Sequence, residues 1–137
     1  MQAVFADTFY FIALTNTDDL VHQQALSLSR TLGLARLITT EEVLDEYLAY
    51  FSASRRSVRE HAGTMVASLI DNRKITVIPQ SHDSFMAGLK LYRARPDKGY
   101  SLTDCISMGT MTREGLTDVL TNDRHFEQEG FRALFRA

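Results

Sequence analysis

Four short apolar runs, at residues 3–6, 36–38, 75–78 and 119–121, recur between longer stretches whose apolar residues fall three and four apart. Runs this short suit strands and are too brief for core helices, while the stretches between them carry a helical period. Strands alternating with helices imply a parallel sheet, because a parallel crossover needs a dozen or more residues and a helix supplies them. Right-handed crossovers then collect the carboxyl ends of the strands along one edge, where crevices form in open α/β sheets. The expectation is an α/β protein of three layers, α/β/α, around a central, mostly parallel sheet of four to five short strands. Residues 131–135 are the candidate fifth, an edge strand.

The helical stretches follow at once. Residues 8–14 read as a short helix, although their aromatics would also suit a strand. Asp18 and Asp19 open a helix with Leu20, Val21, Ala25, Leu28 and Leu32 on one face and Gly33 as its stop. Thr39 or Thr40 caps the next, with Glu41 and Glu42 in its first turn and an apolar stripe of Val43, Leu44, Tyr47, Leu48 and Phe51. Residues 54–72 place Val58, Met65, Val66, Leu69 and Ile70 inward, and residues 81–94 place Phe85, Leu89 and Tyr92 inward. After a charged loop at 93–99 come an apolar helix at 102–112 and a short helix at 124–129.

At 137 residues the chain is expected to be a single domain, 1–137, able to bury a substantial core. A net charge of −2 excludes a generally basic nucleic-acid binder, so any such contact must come from local patches. No apolar run approaches the roughly 20 residues of a membrane span, and the N-terminus lacks the basic and apolar regions of a signal peptide. The single cysteine, Cys105, cannot form an internal disulfide and reads as a buried inert thiol. These features together suggest a cytoplasmic protein with no membrane partner. His22, His61, His82 and His125 are scattered without metal-ligand spacing, and there is no Gly-rich phosphate loop, Ser-His-Asp arrangement or zinc signature.

The chemistry then rests on carboxylates. Asp7 ends the first strand, and Asp104 and Asp123 open helices on either side of the strand at 119–121. Each has an ordinary reading. Asp7 can be an N-cap, Ser101-Leu-Thr-Asp104 has the form of a capping box, and Asp123 or Asn122 can cap the following helix. Glu41, Glu42, Asp45 and Glu46 can be a solvated face, and a helical wheel does not choose between Asp45 and Glu46. Convergence changes the reading. Close carboxylates raise one another's pKa and need a cation to remain ionised together. Oxygen donors without a His or Cys ligand set favour Mg²⁺ or Mn²⁺ over zinc.

Four segments in order carry a resemblance: Val4-Phe-Ala-Asp7-Thr8, Ile38-Thr-Thr-Glu-Glu-Val-Leu-Asp-Glu46, Tyr100-Ser-Leu-Thr-Asp104-Cys, and Leu120-Thr-Asn-Asp123-Arg-His-Phe126. The chain resembles the PIN domain family, which includes the toxic ribonucleases of bacterial and archaeal toxin–antitoxin pairs and related stand-alone nucleases. The resemblance selects Glu46 over its neighbours, gives Asp7, Asp104 and Asp123 the three aspartate positions, and puts Thr121 where a hydroxyl residue supports the last acid. Phe9 departs from the small residue usual after the Asp-Thr pair.

What the resemblance implies is a PIN-like fold and an Mg²⁺- or Mn²⁺-dependent endoribonuclease. Asp7, Glu46, Asp104 and Asp123 would be the metal ligands and catalytic acids, with RNA as substrate, a small antitoxin protein as partner and a homodimer as the assembly. Basic residues available to the RNA backbone are Arg55, Arg56 and Arg59, then Arg93, Arg95 and Lys98, and Arg124 with His125. The loop carrying Arg93, Arg95 and Lys98 is favoured because it leads into the Asp104 helix. Phe9, Tyr10 and Tyr100 can either stack on unpaired bases or be buried. Alternatives are a stand-alone PIN nuclease in RNA processing and a non-cleaving PIN-fold module that binds RNA or protein, although the latter would be expected to lose an acid. A phosphoacceptor or phosphatase domain needs a second acid beside the first-strand Asp, and here Thr8 and Phe9 follow Asp7.

Overall fold

In the computed structural model, which describes residues 2–18 and 20–137, the run Ala3–Ala6 forms strand β1 at the centre of the sheet. On one side lie β2 (Arg36–Thr40) and then β3 (Ile75–Ile78); on the other lie β4 (Asp118–Leu120) and then β5 (Arg132–Ala133). Every pairing in this β3-β2-β1-β4-β5 order is parallel, with Phe5 opposite both Ile38 and Val119. Val4 and Phe5 point to opposite faces of the sheet, and both are fully buried. Helices therefore cover both faces, which is the three-layer arrangement expected.

Among the described residues, seven helices connect the strands: α1 (Thr8–Thr15), α2 (Leu20–Leu32), α3 (Glu41–Tyr50), α4 (Arg56–Asp71), α5 (His82–Ala94), α6 (Leu102–Glu114) and α7 (Arg124–Gln128). The chain leaves β1 towards β2 and β3, then returns across to β4 and β5, so its order reverses between β1 and β4. That reversal opens a crevice at the carboxyl edge. None of the helices described is long and apolar enough to cross a membrane.

Residues 8–14 are helical, as read from the sequence, and the strand alternative falls. Several other sequence expectations need correction. Strand β2 runs through Thr39 and Thr40, two residues beyond the expected run, and the expected fifth strand shortens to Arg132–Ala133 before a 3-10 turn at Leu134–Arg136. Asp19, expected to help open α2, lies outside the described residues. Leu20, Leu48 and Ile70 are exposed rather than inward. On α5 the expected inward residues Phe85 and Tyr92 are 45% and 50% exposed, while Ser84 and Gly88 are buried. The reason is steric: a Cβ on Gly88 would lie 2.5 Å from the Ile106 Cγ1 on α6, so only small side chains fit between these helices. The helix turns its small residues inward, Leu91 packs at the edge of the core, and Phe85, Met86 and Tyr92 follow the outer face.

Candidate active site

The Thr39-Thr40 pair joins α3 to the central strand. Thr39 donates its hydroxyl to the Ala6 carbonyl at 2.8 Å, and Thr40 caps α3 by accepting from the Val43 amide at 3.1 Å. With its start fixed, α3 directs Glu46 towards Thr8, whose hydroxyl donates to the Glu46 carboxylate. Asp7 occupies the N-cap position of α1 yet makes no side-chain cap there. Its carboxylate instead accepts from the Thr121 hydroxyl at 2.8 Å. Thr121 also accepts from the Asp123 amide at 3.2 Å, so a single buried hydroxyl joins both strand ends that carry an aspartate.

The other two aspartates do act as caps. Asp104 completes the capping box, accepting from the Ser101 amide at 3.0 Å while Ser101 accepts from the Asp104 amide at 3.0 Å. Asp123 caps α7 by accepting from the His125 amide at 2.9 Å. Such caps do not exclude chemistry, since each bond occupies only part of a carboxylate's acceptor capacity.

All four expected acids line one cavity of about 780 Å³, together with Thr8, Phe9, Ile12, Ala49, Tyr50, Gly99, Ser101, Thr121, Asn122 and His125. Asp45 and Glu42 instead line a neighbouring groove with Gln80, His82 and Phe85, a groove that Glu46 also borders. The helical wheel left Asp45 and Glu46 unresolved; in three dimensions Glu46 is the one that reaches Asp7, Asp104 and Asp123.

Sequence reasoning overlooked the position of His125. Its Nδ1 lies 3.3 Å from a carboxylate oxygen of Asp104 and 3.3 Å from one of Asp123. One ligand atom from each of the three residues fits within 4.8 Å of the others. The available signal was its place two residues after a helix-capping aspartate, where the cap folds the chain back on itself. Conversely, Tyr10 and Tyr100 are buried, which removes them as stacking surfaces. Tyr100 packs its ring against His125 at 5.3 Å and donates its hydroxyl to Glu129 at 2.9 Å. Glu129 is also gripped by Arg95 through two bonds of 2.9 and 3.0 Å. Cys105 is buried, and that burial pushes its thiol pKa up, in keeping with an inert role.

The electrostatics follow from burial first and from neighbouring acid charges second. Asp7 is 6% exposed. Burial pushes its pKa up to about 7, with the Asp104 and Glu46 charges adding and the Thr121 hydrogen bond opposing. Asp104 is also raised, chiefly by burial and then by the Asp123 charge, against the Ser101 and His125 contacts. Two carboxyls raised by burial first and by neighbouring acid charges second are an electrostatic condition that a bound cation relieves. The donors are mainly carboxylate oxygens, with one adjacent imidazole, a set that fits a hard or borderline divalent ion.

A family model for the PIN domain matches residues 4–131. The chain belongs to the PIN domain family. This PIN domain is similar in structure to VapC20 of Mycobacterium tuberculosis, a Sarcin-Ricin loop cleaving toxin. That likeness has a TM-score of 0.83, at 23% identity, and covers 93% of this chain and 95% of the other. It is also similar to a chain in VapBC2 from Rickettsia felis bound to a promoter DNA fragment, with a TM-score of 0.71 at 15% identity, covering 96% and 97%. DNA-bound VapBC from Salmonella typhimurium supplies a third likeness, with a TM-score of 0.65 at 19% identity and 97% of each chain covered. No curated protein sequence matches the chain significantly. At these identities the solved structures speak for the fold.

Proposed function

We propose that this PIN domain is a divalent-metal-dependent endoribonuclease, acting as the toxin of a toxin–antitoxin pair in the cytoplasm. The observation that carries the reading is the convergence of Asp7, Glu46, Asp104 and Asp123 on one cavity at the β1/β4 crevice. Family membership and the likeness to a toxin that cleaves the Sarcin-Ricin loop support RNA as the substrate class. The likeness to chains of VapBC structures supports a small protein partner. A homodimer is the assembly we infer from the family.

In this reading Asp7, Asp104, Asp123 and Glu46 would hold Mg²⁺ or Mn²⁺. When bound, such an ion supplies Lewis acidity towards a phosphoryl oxygen and eases deprotonation of water. The protein's own residues do the positioning. Thr121 aims Asp7, Thr8 aims Glu46, and the Ser101 amide aims Asp104. Glu46, exposed at the cavity rim, or Asp123 orients the water for in-line attack on the phosphodiester. Arg93, Lys98 and Arg124 are exposed and available to RNA phosphates. Arg95 is already paired with Glu129 and contributes to the frame beneath Tyr100.

The test is cleavage of structured RNA by the purified protein with Mg²⁺ or Mn²⁺, beside an Asp104→Asn variant. We expect cleavage by the parent and a loss of roughly a hundredfold or more in the variant, the scale of removing a group that stabilises the transition state. No cleavage with either metal, or equal cleavage by both proteins, would overturn the assignment.

A further inference from the structure

The cavity holds more than acids. Phe9, Ile12, Ala49 and Tyr50 line it too, and all four come from α1 and α3. Tyr50 closes α3 one turn after Glu46, and residues four apart on a helix share a face. Ile12 stands in the same relation to Thr8 on α1, and Thr8 is bonded to Glu46. The two helices that meet through the Thr8–Glu46 hydrogen bond therefore each offer an apolar side chain one turn along.

Tyr50 is 60% exposed. Exposure of one aromatic residue means little by itself, but this ring belongs to the wall of the cavity that contains the four carboxylates. Its orientation is also supported. Tyr50 packs edge-on against Phe51 with centroids 4.9 Å apart, and Phe9 packs edge-on against Phe135 at 4.9 Å. Ring contacts of this kind leave less rotamer freedom to lose when a ligand arrives.

A nucleotide whose phosphate lies among the acids has a base close enough to turn onto the walls of the same cavity. Asp123, Asn122, Ser101 and His125 make the polar part of that lining, so the apolar part from α1 and α3 is where a base face would be received. We propose that Tyr50, in a cavity wall shared with Phe9 and Ile12, is a stacking platform for one unpaired RNA base beside the phosphodiester that is cut. This rests on the nuclease reading above and adds the residue that selects unpaired RNA. A base in a duplex is already stacked and cannot turn onto the ring, whereas a loop base can. Stacking also tolerates any base, since each has a π-face.

The experiment uses the full chain and a single-stranded oligoribonucleotide carrying one 2-aminopurine, with the matching duplex as control. In an Asp104→Asn background the RNA stays intact and the fluorophore reports stacking. We expect quenching with Tyr50 or Tyr50→Phe present, its loss in Tyr50→Ala, and none with the duplex. In the active protein Tyr50→Ala should raise KM for single-stranded RNA roughly tenfold, the worth of one base–aromatic stack, with kcat little changed and Tyr50→Phe near the parent. Equal quenching and KM in Tyr50→Ala overturns the proposal, as does a Tyr50→Phe variant as impaired as Tyr50→Ala. A change in sedimentation of Tyr50→Ala with KM unmoved would make Tyr50 a protein contact instead. Cleavage that ignores Tyr50 counts against the platform alone. Tyr50-dependent quenching without cleavage by any active-site-intact protein counts against the nuclease reading alone.

Discussion

Thr121 donates its hydroxyl to Asp7 at 2.8 Å, joining residues 114 positions apart across the β1/β4 crevice. The same oxygen accepts the Asp123 amide at 3.2 Å, so one fully buried side chain fixes two acid-bearing strand ends relative to one another. The connections that leave β1 and β4 are thus tied to each other just past the sheet's carboxyl edge.

Replacing Thr121 by Val keeps the shape and removes the hydroxyl. A hydrogen bond to a charged group contributes about 1.5–3 kcal/mol, and its loss lets the Asp7 carboxylate turn away from the other acids. Thr121→Val is expected to bind Mn²⁺ at least tenfold more weakly in a calorimetric titration, while Thr121→Ser stays close to the parent. Parent-like affinity in the Val variant would remove Thr121 from the proposed machinery.

Burial sets the pH behaviour of the metal-free protein. Asp7 is lifted to about 7 from an ordinary 3.8, so between about pH 4 and pH 7 the folded state keeps a proton that the unfolded chain has released. The stability linked to that proton is complete below about pH 4 and is lost progressively as the pH rises through about 7. A shift of this size corresponds to a few kcal/mol, on the order of 1.4 for each pH unit. Asp7→Asn carries no such charge. In EDTA, urea midpoints should therefore fall from about pH 5 to about pH 7.5 more for the parent than for Asp7→Asn, which should be the more stable protein at the higher pH yet unable to cleave RNA. Parallel midpoints across the range would show that Asp7 does not titrate as the buried acid described.

The strand-to-helix junctions were legible because short apolar runs ending in Asp or Thr are strong local signals, and topology alone then gathers Asp7 and Asp123 at one edge. Glu46 was not legible from the helix period, since Asp45 is equally polar and the choice depends on Thr8 reaching across from another helix. Family resemblance supplied it. His125 escaped because the cap spacing ties it only to Asp123, while its nearness to Asp104 is a tertiary contact that leaves no spacing pattern. Tyr50 escaped because it ends α3 off the buried stripe, where polar or apolar identity says little about what a cavity will contain. On α5 the expected inward residues Phe85 and Tyr92 are exposed, because close helix packing selects Ser84 and Gly88 instead.

Arg95 and its basic neighbours should separate by salt dependence. Arg95 grips Glu129 through two bonds, and those bonds are the first reason that the Glu129 pKa is lowered. Arg93, Lys98 and Arg124 have exposed side chains, with Lys98 only 3.9 Å from its neighbour Asp97. Each phosphate contact contributes close to one unit to the slope of log affinity against log salt for a duplex, about 0.7 for single strands. Lys98→Ala or Arg124→Ala is expected to flatten that slope for RNA binding. Arg95→Ala should leave it unchanged and lower the melting temperature instead. The linkage has a sign as well: a lowered Glu129 stabilises the fold above its ordinary range near 4.5 and loses that effect as pH falls through its folded value. A flattened slope in Arg95→Ala would return this residue to the RNA-binding set.

The packing of α5 on α6 gives a prediction that reaches the site from a distance. A methyl at Gly88 would lie 2.5 Å from Ile106 Cγ1 and 3.3 Å from the Ile106 amide nitrogen, so Ile106 or its helix must move. Helix propensity favours alanine over glycine by about 1 kcal/mol, whereas overpacking a filled interface costs about 1–3 kcal/mol. Sterics should win by up to about 2 kcal/mol, because the second close atom is backbone and cannot rotate away. Ile106 lies two residues after Asp104, so a displaced α6 also moves a proposed metal ligand. Gly88→Ala is expected to lower both the denaturation midpoint and RNA cleavage. Ile106→Ala removes the clashing Cγ1 and leaves a cavity of its own, and in combination with Gly88→Ala each should offset part of the other. The check is a double-mutant cycle on stability and cleavage together. Strict additivity, or a stabilised Gly88→Ala protein, would mean that the two helices have room to part without disturbing Asp104.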